Sequence, residues 1–227
     1  MGSFTVARCV YVRPVGSIHL IRHGQASWGA DDYDLLSPLG HQQAIALGAS
    51  WEASNWFPTH AIAGSMKRHA QTAVEAIDAS GQGDGYDIDD GWNEFDHVGV
   101  AASHDPDAMK HDAKKFQATL NEALALWRVG EGDFSETYRA FVDRVMAAFE
   151  RCKAHAGSGQ SVAVFTSGGP IATVMSHVLA GDDSLFQTLN NVVINAGVTT
   201  LIVGQSGTNL LAFNEHTHLP RSMVSYR

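Results

Sequence analysis

Arg22-His23-Gly24-Gln25 spans the end of the short β-like run SIHLIR and sets a guanidinium beside an imidazole at a strand exit. Three other segments place polar groups after extended runs: Ser65-Met66-Lys67-Arg68-His69 at the end of HAIAGS, Trp92-Asn93-Glu94-Phe95-Asp96-His97 after YDID, and Ser167-Gly168-Gly169 after SVAVFT. Open α/β sheets bind ligands beyond the carboxyl ends of their strands, so these segments are expected on one rim. Such a rim suits a phosphate monoester. Arg22 and Arg68 each offer a planar fork of donors to a dianion. Backbone N–H groups around Gly168, at the start of an apolar helix over 171–180, add to them. A neutral His23 keeps one ring nitrogen for attack on phosphorus while a hydrogen bond on the other fixes the tautomer. Glu94 is the candidate proton donor to the leaving alcohol, with Asp96 as its rival. Gln25 either touches the phosphoryl oxygens or caps the loop. Fixed arginines already supply positive charge, so no metal or cofactor is implied.

The elements that must position these groups can be read from pattern. Strands are expected at 17–22, 60–65, 86–89 and 161–166, with a hairpin over 197–204 and 209–214 around Gln205-Ser206-Gly207-Thr208. Ser37-Pro38 reads as the N-cap and first residue of a helix. Further helices are expected at 66–80, across 105–156 with a break near 129–133, and at 171–180. Strands alternating with helices predict an α/β three-layer sandwich. Its central sheet is mostly parallel with at least one antiparallel strand, helices cover both faces, and a helical insertion lies over one edge. Residues 1–16 form a lead-in, disordered or an extra strand, and 17–227 a single catalytic domain.

Composition narrows the partners. A chain of 227 residues with a formal net charge of -9 is a poor match for nucleic acid or an anionic membrane. Arg8 and Arg13 interrupt the N-terminal apolar run, and no membrane-spanning stretch or signal core is seen. Cys9 and Cys152 are too few for a disulfide framework, which fits a reducing compartment and a cytoplasmic protein. Its 12 histidines, including the seven-residue series His97, His104 and His111 and the pair His216 and His218, come without a cysteine or carboxylate set of metal-ligand type. Asp31, Asp32 and Asp34 either repel bulky anions or form a solvated loop. Trp28, Trp92 and Phe95 form either a specificity wall or core.

Four ordered segments carry a family resemblance. LIRHGQAS (20–27) resembles the signature of the histidine phosphatase, or phosphoglycerate-mutase-like, superfamily. SMKRHAQTA (65–73) is similar to that family's serine–arginine–threonine helix start, VFTSGGPI (164–171) to its late strand–turn–helix, and FNEHTHL (213–219) to its closing strand. The resemblance implies a phosphohistidine at His23, phosphate binding by Arg22 and Arg68, and Glu94 as proton donor. It implies a small phosphorylated substrate or a phosphoprotein and leaves the oligomeric state open.

The chain departs from that pattern at Ser167, where the family has a second histidine. Losing one uncompensated donor to the transferring phosphoryl group costs roughly 2.7–4 kcal/mol. Ser167 is therefore expected to be a working part of the phosphate pocket, with His97, His216 or His218 supplying the missing donor. Hydrolysis through phospho-His23 is the leading expectation. A phosphoglycerate mutase ranks below it, because Glu94-Phe95-Asp96-His97-Val98 lacks the Glu-Arg-x-Tyr-Gly-like stretch of the mutases. A non-catalytic phosphate-binding relative is the third reading, raised by Ser167.

Overall fold

The computed structural model describes residues 15–29, 32–83 and 85–226. The lead-in proposed for 1–16 lies outside them up to residue 14, and Gly16 already opens the first strand. Six strands form one sheet: β1 (Gly16–Arg22), β2 (His60–Ala63), β3 (Asp87–Ile88), β4 (Ser161–Thr166), β5 (Val198–Gly204) and β6 (Gly207–Glu215). Their order is β3-β2-β4-β1-β5-β6. β1, β2, β3 and β4 pair in parallel, while β5 runs antiparallel to both β1 and β6. The expected mostly parallel sheet with an antiparallel strand is what the chain forms.

The apolar run of β4 explains its central place, since both of its faces are covered. Val162 and Val164 join Ile18 and Leu20 in one core, whereas Ala163 and Phe165 join Ile21 in the other. This is the period of two that a strand imposes on successive side chains. Helices α1 (Pro38–Ser54) and α2 (Lys67–Ala79) supply Leu47, Trp51, Ala73 and Ile77 to the second core. On the opposite face, α5 (Tyr138–His155) and α6 (Gly168–Ala180) supply Phe141, Val145, Ile171 and Val174 to the first.

Local chemistry sets the ends of these helices. The Ser37 side chain accepts from the Gly40 N–H at 3.1 Å with Pro38 behind it, so α1 starts where the sequence places it. α6 begins at Gly168, three residues earlier than expected, with Pro170 inside its first turn. The first four N–H groups of a helix have no partner within it, so the proline costs no bond there. The region between β3 and α5 contains α3 (His97–His104) and α4 (Ala113–Val129). α3 lies before the helical stretch expected from 105, where the sequence pattern assigned no element, and the short α7 (Phe186–Asn190) is a further addition. Among the described residues no helix is long and apolar enough to cross a membrane.

Candidate active site

Parallel pairing of β1 with β4 sets Arg22 against Thr166, and the His23 N–H donates to the Thr166 carbonyl at 2.8 Å. The chain exits sharply at Gly24. A Cβ there would lie 2.4 Å from the Gly40 carbonyl oxygen, so glycine is what lets the loop pass over the start of α1. The Gly24 N–H donates to Thr72 Oγ1 at 3.1 Å, and that hydroxyl donates to the Arg68 carbonyl at 2.7 Å. Thr72 thereby fastens the His23 loop to α2.

His23 is 5% exposed. Its Nδ1 lies 2.6 Å from the Gly24 carbonyl oxygen. A carbonyl can only accept, so Nδ1 carries the proton and Nε2 keeps its lone pair. Burial, then the charges of Arg68 and Arg22, then His69, hold the His23 pKa well below the ordinary imidazole value. The ring is neutral at pH 7. Asn195 Nδ2 donates to the His23 carbonyl at 3.1 Å, and the Ala196 N–H donates to the Arg22 carbonyl at 3.0 Å. Ala196 holds a left-handed φ of 55°, a strain of about 1–2 kcal/mol that this backbone clamp retains.

Arg68 stands in the first turn of α2 and is almost fully buried. Met66, the N-cap of α2, makes no side-chain cap bond. Asp34 does the capping from a distance: Oδ2 accepts from the Lys67 N–H at 2.8 Å, and Oδ1 sits 2.5 Å from Arg68 Nη1. Asp34 therefore orients the guanidinium as well as capping the N-terminus of α2. Asp32 pairs with Lys67 at 2.5 Å, so both carboxylates are engaged with basic partners, and Asp31 lies outside the described residues. Arg22 donates through Nη1 to the Val193 carbonyl.

Glu94 follows a 3-10 turn at Asp90–Trp92. Arg144 grips this loop through the Gly91, Asn93 and Glu94 carbonyls at 3.2, 2.6 and 3.2 Å. Glu94 Oε2 accepts from the Gly169 N–H at 3.1 Å, at the start of α6. Burial raises the Glu94 pKa above the usual carboxylate value, outweighing the N–H of Gly169 and the charges of Arg68 and Arg22, which pull it down. Asp96 is committed to capping α3 through the Gly99 N–H at 2.8 Å.

Ser167 is fully buried, and its Oγ lies 2.7 Å from Nε2 of the equally buried His69. The His69 ring is 5.7 Å from that of His23, centroid to centroid. Burial and then Arg68 push the His69 pKa well down, so it too is neutral. His69 was not singled out in the sequence, because a bond spanning 98 residues leaves no local pattern.

Arg22, His23, Gln25, Arg68, Glu94, His97 and Gly168 line one cleft of about 530 Å³. The convergence expected of the strand ends is present. Gln25 Oε1 accepts from the Ser37 hydroxyl at 2.9 Å, which ties its side chain to the start of α1. Trp28 and Phe95 line the cleft, whereas Trp92 is core. His216 and His218 do not line it, and His216 Nδ1 bonds the Asn214 carbonyl at 2.7 Å. His104 and His111 pair with Glu122 and Asp105 at 3.1 and 2.7 Å. No cluster of three His, Cys, Asp or Glu side chains suited to a metal ion occurs among the described residues.

A mostly parallel sheet that brings an arginine–histidine pair, a second arginine and a buried glutamate to one cleft defines an α/β enzyme of the histidine phosphatase type. The sequence profile of the Histidine phosphatase superfamily (branch 1) matches residues 18–216, and the chain belongs to that family. No curated protein matches it in sequence. Among solved structures, it is similar to a putative alpha-ribazole-5'-P phosphatase from Escherichia coli, with a TM-score of 0.65 and 19% identity over 88% of this chain and 97% of that one. It is similar to a phosphoglycerate mutase from Bacillus anthracis, with a TM-score of 0.63 and 18% identity over 90% of this chain and 95% of that one. A phosphoserine phosphatase from Entamoeba histolytica gives a TM-score of 0.63 and 18% identity over 90% and 99% of the two chains. Likeness at these identities is likeness of fold.

Proposed function

We propose that the protein is a phosphomonoesterase working through phospho-His23. The observation that carries this reading is the neutral His23, its proton fixed on Nδ1 by the Gly24 carbonyl, in one cleft with two arginines and a protonatable glutamate. The phosphoryl oxygens take donors from Arg22, Arg68 and the start of α6. Nε2 of His23 attacks phosphorus as the ester P–O bond breaks, and Glu94 gives its proton to the departing alkoxide. Water then attacks the phosphohistidine, Glu94 takes a proton from it, and the P–N bond breaks to release phosphate. The guanidinium groups supply the charge stabilisation, so activity is expected to survive chelators. The reading takes residues 17–227 as one catalytic unit and places it in the cytoplasm with a small phosphoester as substrate.

Brief exposure to substrate followed by quenching in base should leave a phosphoprotein that is stable in alkali and labile in acid. Turnover without such a species, or none across a phosphoester panel, would refute the proposal. Transfer to a second hydroxyl, as in a mutase, is separated by isotope: hydrolysis places one solvent oxygen in each released phosphate.

The Ser167–His69 pair belongs to this reading as a positioning device. Ser167 is fully buried and does not line the cleft, so the pair acts through the start of α6, which Ser167 precedes as N-cap and whose Gly168 lines the cleft. Ser167→Ala and His69→Ala should each lower kcat about 10–100-fold, and the double variant should be little worse than the poorer single one. Multiplying losses would mean that the two act separately. His97 stays in the reading as a donor that lines the cleft, and a His97→Ala variant measured alongside apportions the role.

A further inference from the structure

We propose that the alcohol half of the substrate is a flat aromatic or apolar group with no second anionic charge, seated against a wall built around Trp28 and Phe116. The inference rests on the phosphomonoesterase reading above and narrows its substrate.

The cleft divides by chemistry. Its cationic side chains, among the described residues, are Arg22 and Arg68, and both stand at the His23 end. Arg68 already shares its charge with Asp34 at 2.5 Å. No lysine lines the cleft among the described residues, and its polar lining includes the neutral side chains of Gln117 and Ser27. A carboxylate or second phosphate on the leaving group would lose its water and meet no counter-charge, which is costly. Glu94 adds a carboxyl group to the same cleft.

Much of the remaining lining is apolar and aromatic: Trp28, Tyr33, Phe95, Phe116 and Leu120, with Tyr33 reaching the phosphate end at Arg68, whose guanidinium carbon lies 5.8 Å from its ring centroid. Trp28 leans on Phe116 with ring centroids 4.7 Å apart and meets Tyr33 edge-on at 5.4 Å. His97 turns its edge to Tyr33 at 5.4 Å. Phe116 is 4% exposed, whereas Trp28 remains 42% exposed. The indole is thus held in place from behind while much of its surface stays open, the arrangement that a rigid stacking platform requires. The phosphate end and the apolar wall share a single cleft of about 530 Å³, room for a ring system attached to a phosphate. Trp28 and Tyr33, Phe95, and Phe116 and Leu120 come from separate parts of the chain, so the wall is a product of the fold and not of one loop.

The test uses esters whose leaving alcohols differ little in acidity: ethyl, benzyl, 2-naphthylmethyl and 4-carboxybenzyl phosphate. The expected kcat/KM for 2-naphthylmethyl phosphate exceeds that for ethyl phosphate at least tenfold. The carboxylate of 4-carboxybenzyl phosphate should lower kcat/KM at least tenfold against benzyl phosphate. Trp28→Ala, a change at an exposed side chain, should shrink the naphthylmethyl-to-ethyl preference by about tenfold, and Phe116→Leu, smaller but still apolar, should shrink it in the same direction. The non-hydrolysable 2-naphthylmethyl phosphonate provides a readout that does not depend on turnover, and it should bind more tightly than ethyl phosphonate. Equal rates for benzyl and ethyl phosphate, or a gain from the added carboxylate, would overturn the aromatic-substrate inference while leaving a phosphatase. Failure to hydrolyse any ester would overturn the parent reading and this inference with it.

Discussion

Replacing His23 with alanine is expected to lower turnover by roughly 10⁴-fold or more, the scale on which removal of a covalent nucleophile acts. His69 lies 5.7 Å from His23, ring centroid to ring centroid, but its Nε2 is bonded to Ser167 and it does not line the cleft, while the ring of His97 packs against Tyr33 and Phe95. Binding should respond differently. Arg22 and Arg68 are held by the Val193 carbonyl and by Asp34, not by His23, so their donors stay aligned in the variant. Inorganic phosphate should bind the variant within severalfold of the wild-type affinity, and loss of turnover with retained phosphate binding identifies a nucleophile. His23→Asn, closer in shape, controls for the hole left in a buried site. Rapid-quench kinetics, phosphate titration and a check of thermal unfolding make the measurement complete. Unchanged turnover in either variant would end the phosphohistidine mechanism.

The parts of this site that the sequence revealed are those set by local rules. SVAVFT had to be a doubly covered strand because nothing polar interrupts it, and Ser37-Pro38 had to start a helix because both residues satisfy its first turn. Once the strands were placed, the rim residues Arg22, His23, Arg68 and Glu94 followed from the rule that ligands lie beyond strand ends. What stayed hidden depends on side chains that meet across the fold. Asp34 read as part of a solvated acidic run, yet it caps α2 and holds Arg68 from 34 residues away. Arg144 lies in the middle of a long helix and shows no sign in sequence of gripping the Glu94 loop 50 residues earlier. His69 is one residue beyond a recognised arginine, and only the closeness of β4 to α2 gives it Ser167 as a partner. The start of α6 was misread for a different reason. Gly168-Gly169-Pro170 has the composition of a turn, but a helix tolerates all three residues in its first turn.

Glu94→Gln should lower kcat about 10²–10³-fold for an alkyl phosphate, within the range of a lost general acid–base. The amide keeps the shape and can still accept from the Gly169 N–H, so the fold should persist. The pH profile decides whether proton transfer is the cause. Attack on phosphorus needs neutral His23, so kcat/KM should fall as pH drops through its lowered pKa. Release of the alcohol needs protonated Glu94, so kcat/KM should also fall as pH rises through its raised pKa. The glutamine variant should lose the component of the alkaline limb that belongs to Glu94, and comparison with wild type cancels ionisation of the substrate itself. The loss should be smaller for an ester whose leaving group needs no proton, such as a nitrophenyl phosphate. A second variant tests position without removing the acid. A Cβ on Gly169 would lie 2.1 Å from Glu94 Oε1, so Gly169→Ala must push the carboxyl from its seat. It should slow the alkyl ester about tenfold while keeping an alkaline limb, at a shifted pH, because the acid is still present. An unaltered alkaline limb in Glu94→Gln would move the proton-donor role elsewhere. Asp96 could not assume it without releasing the cap of α3, since its side chain already accepts from the Gly99 N–H.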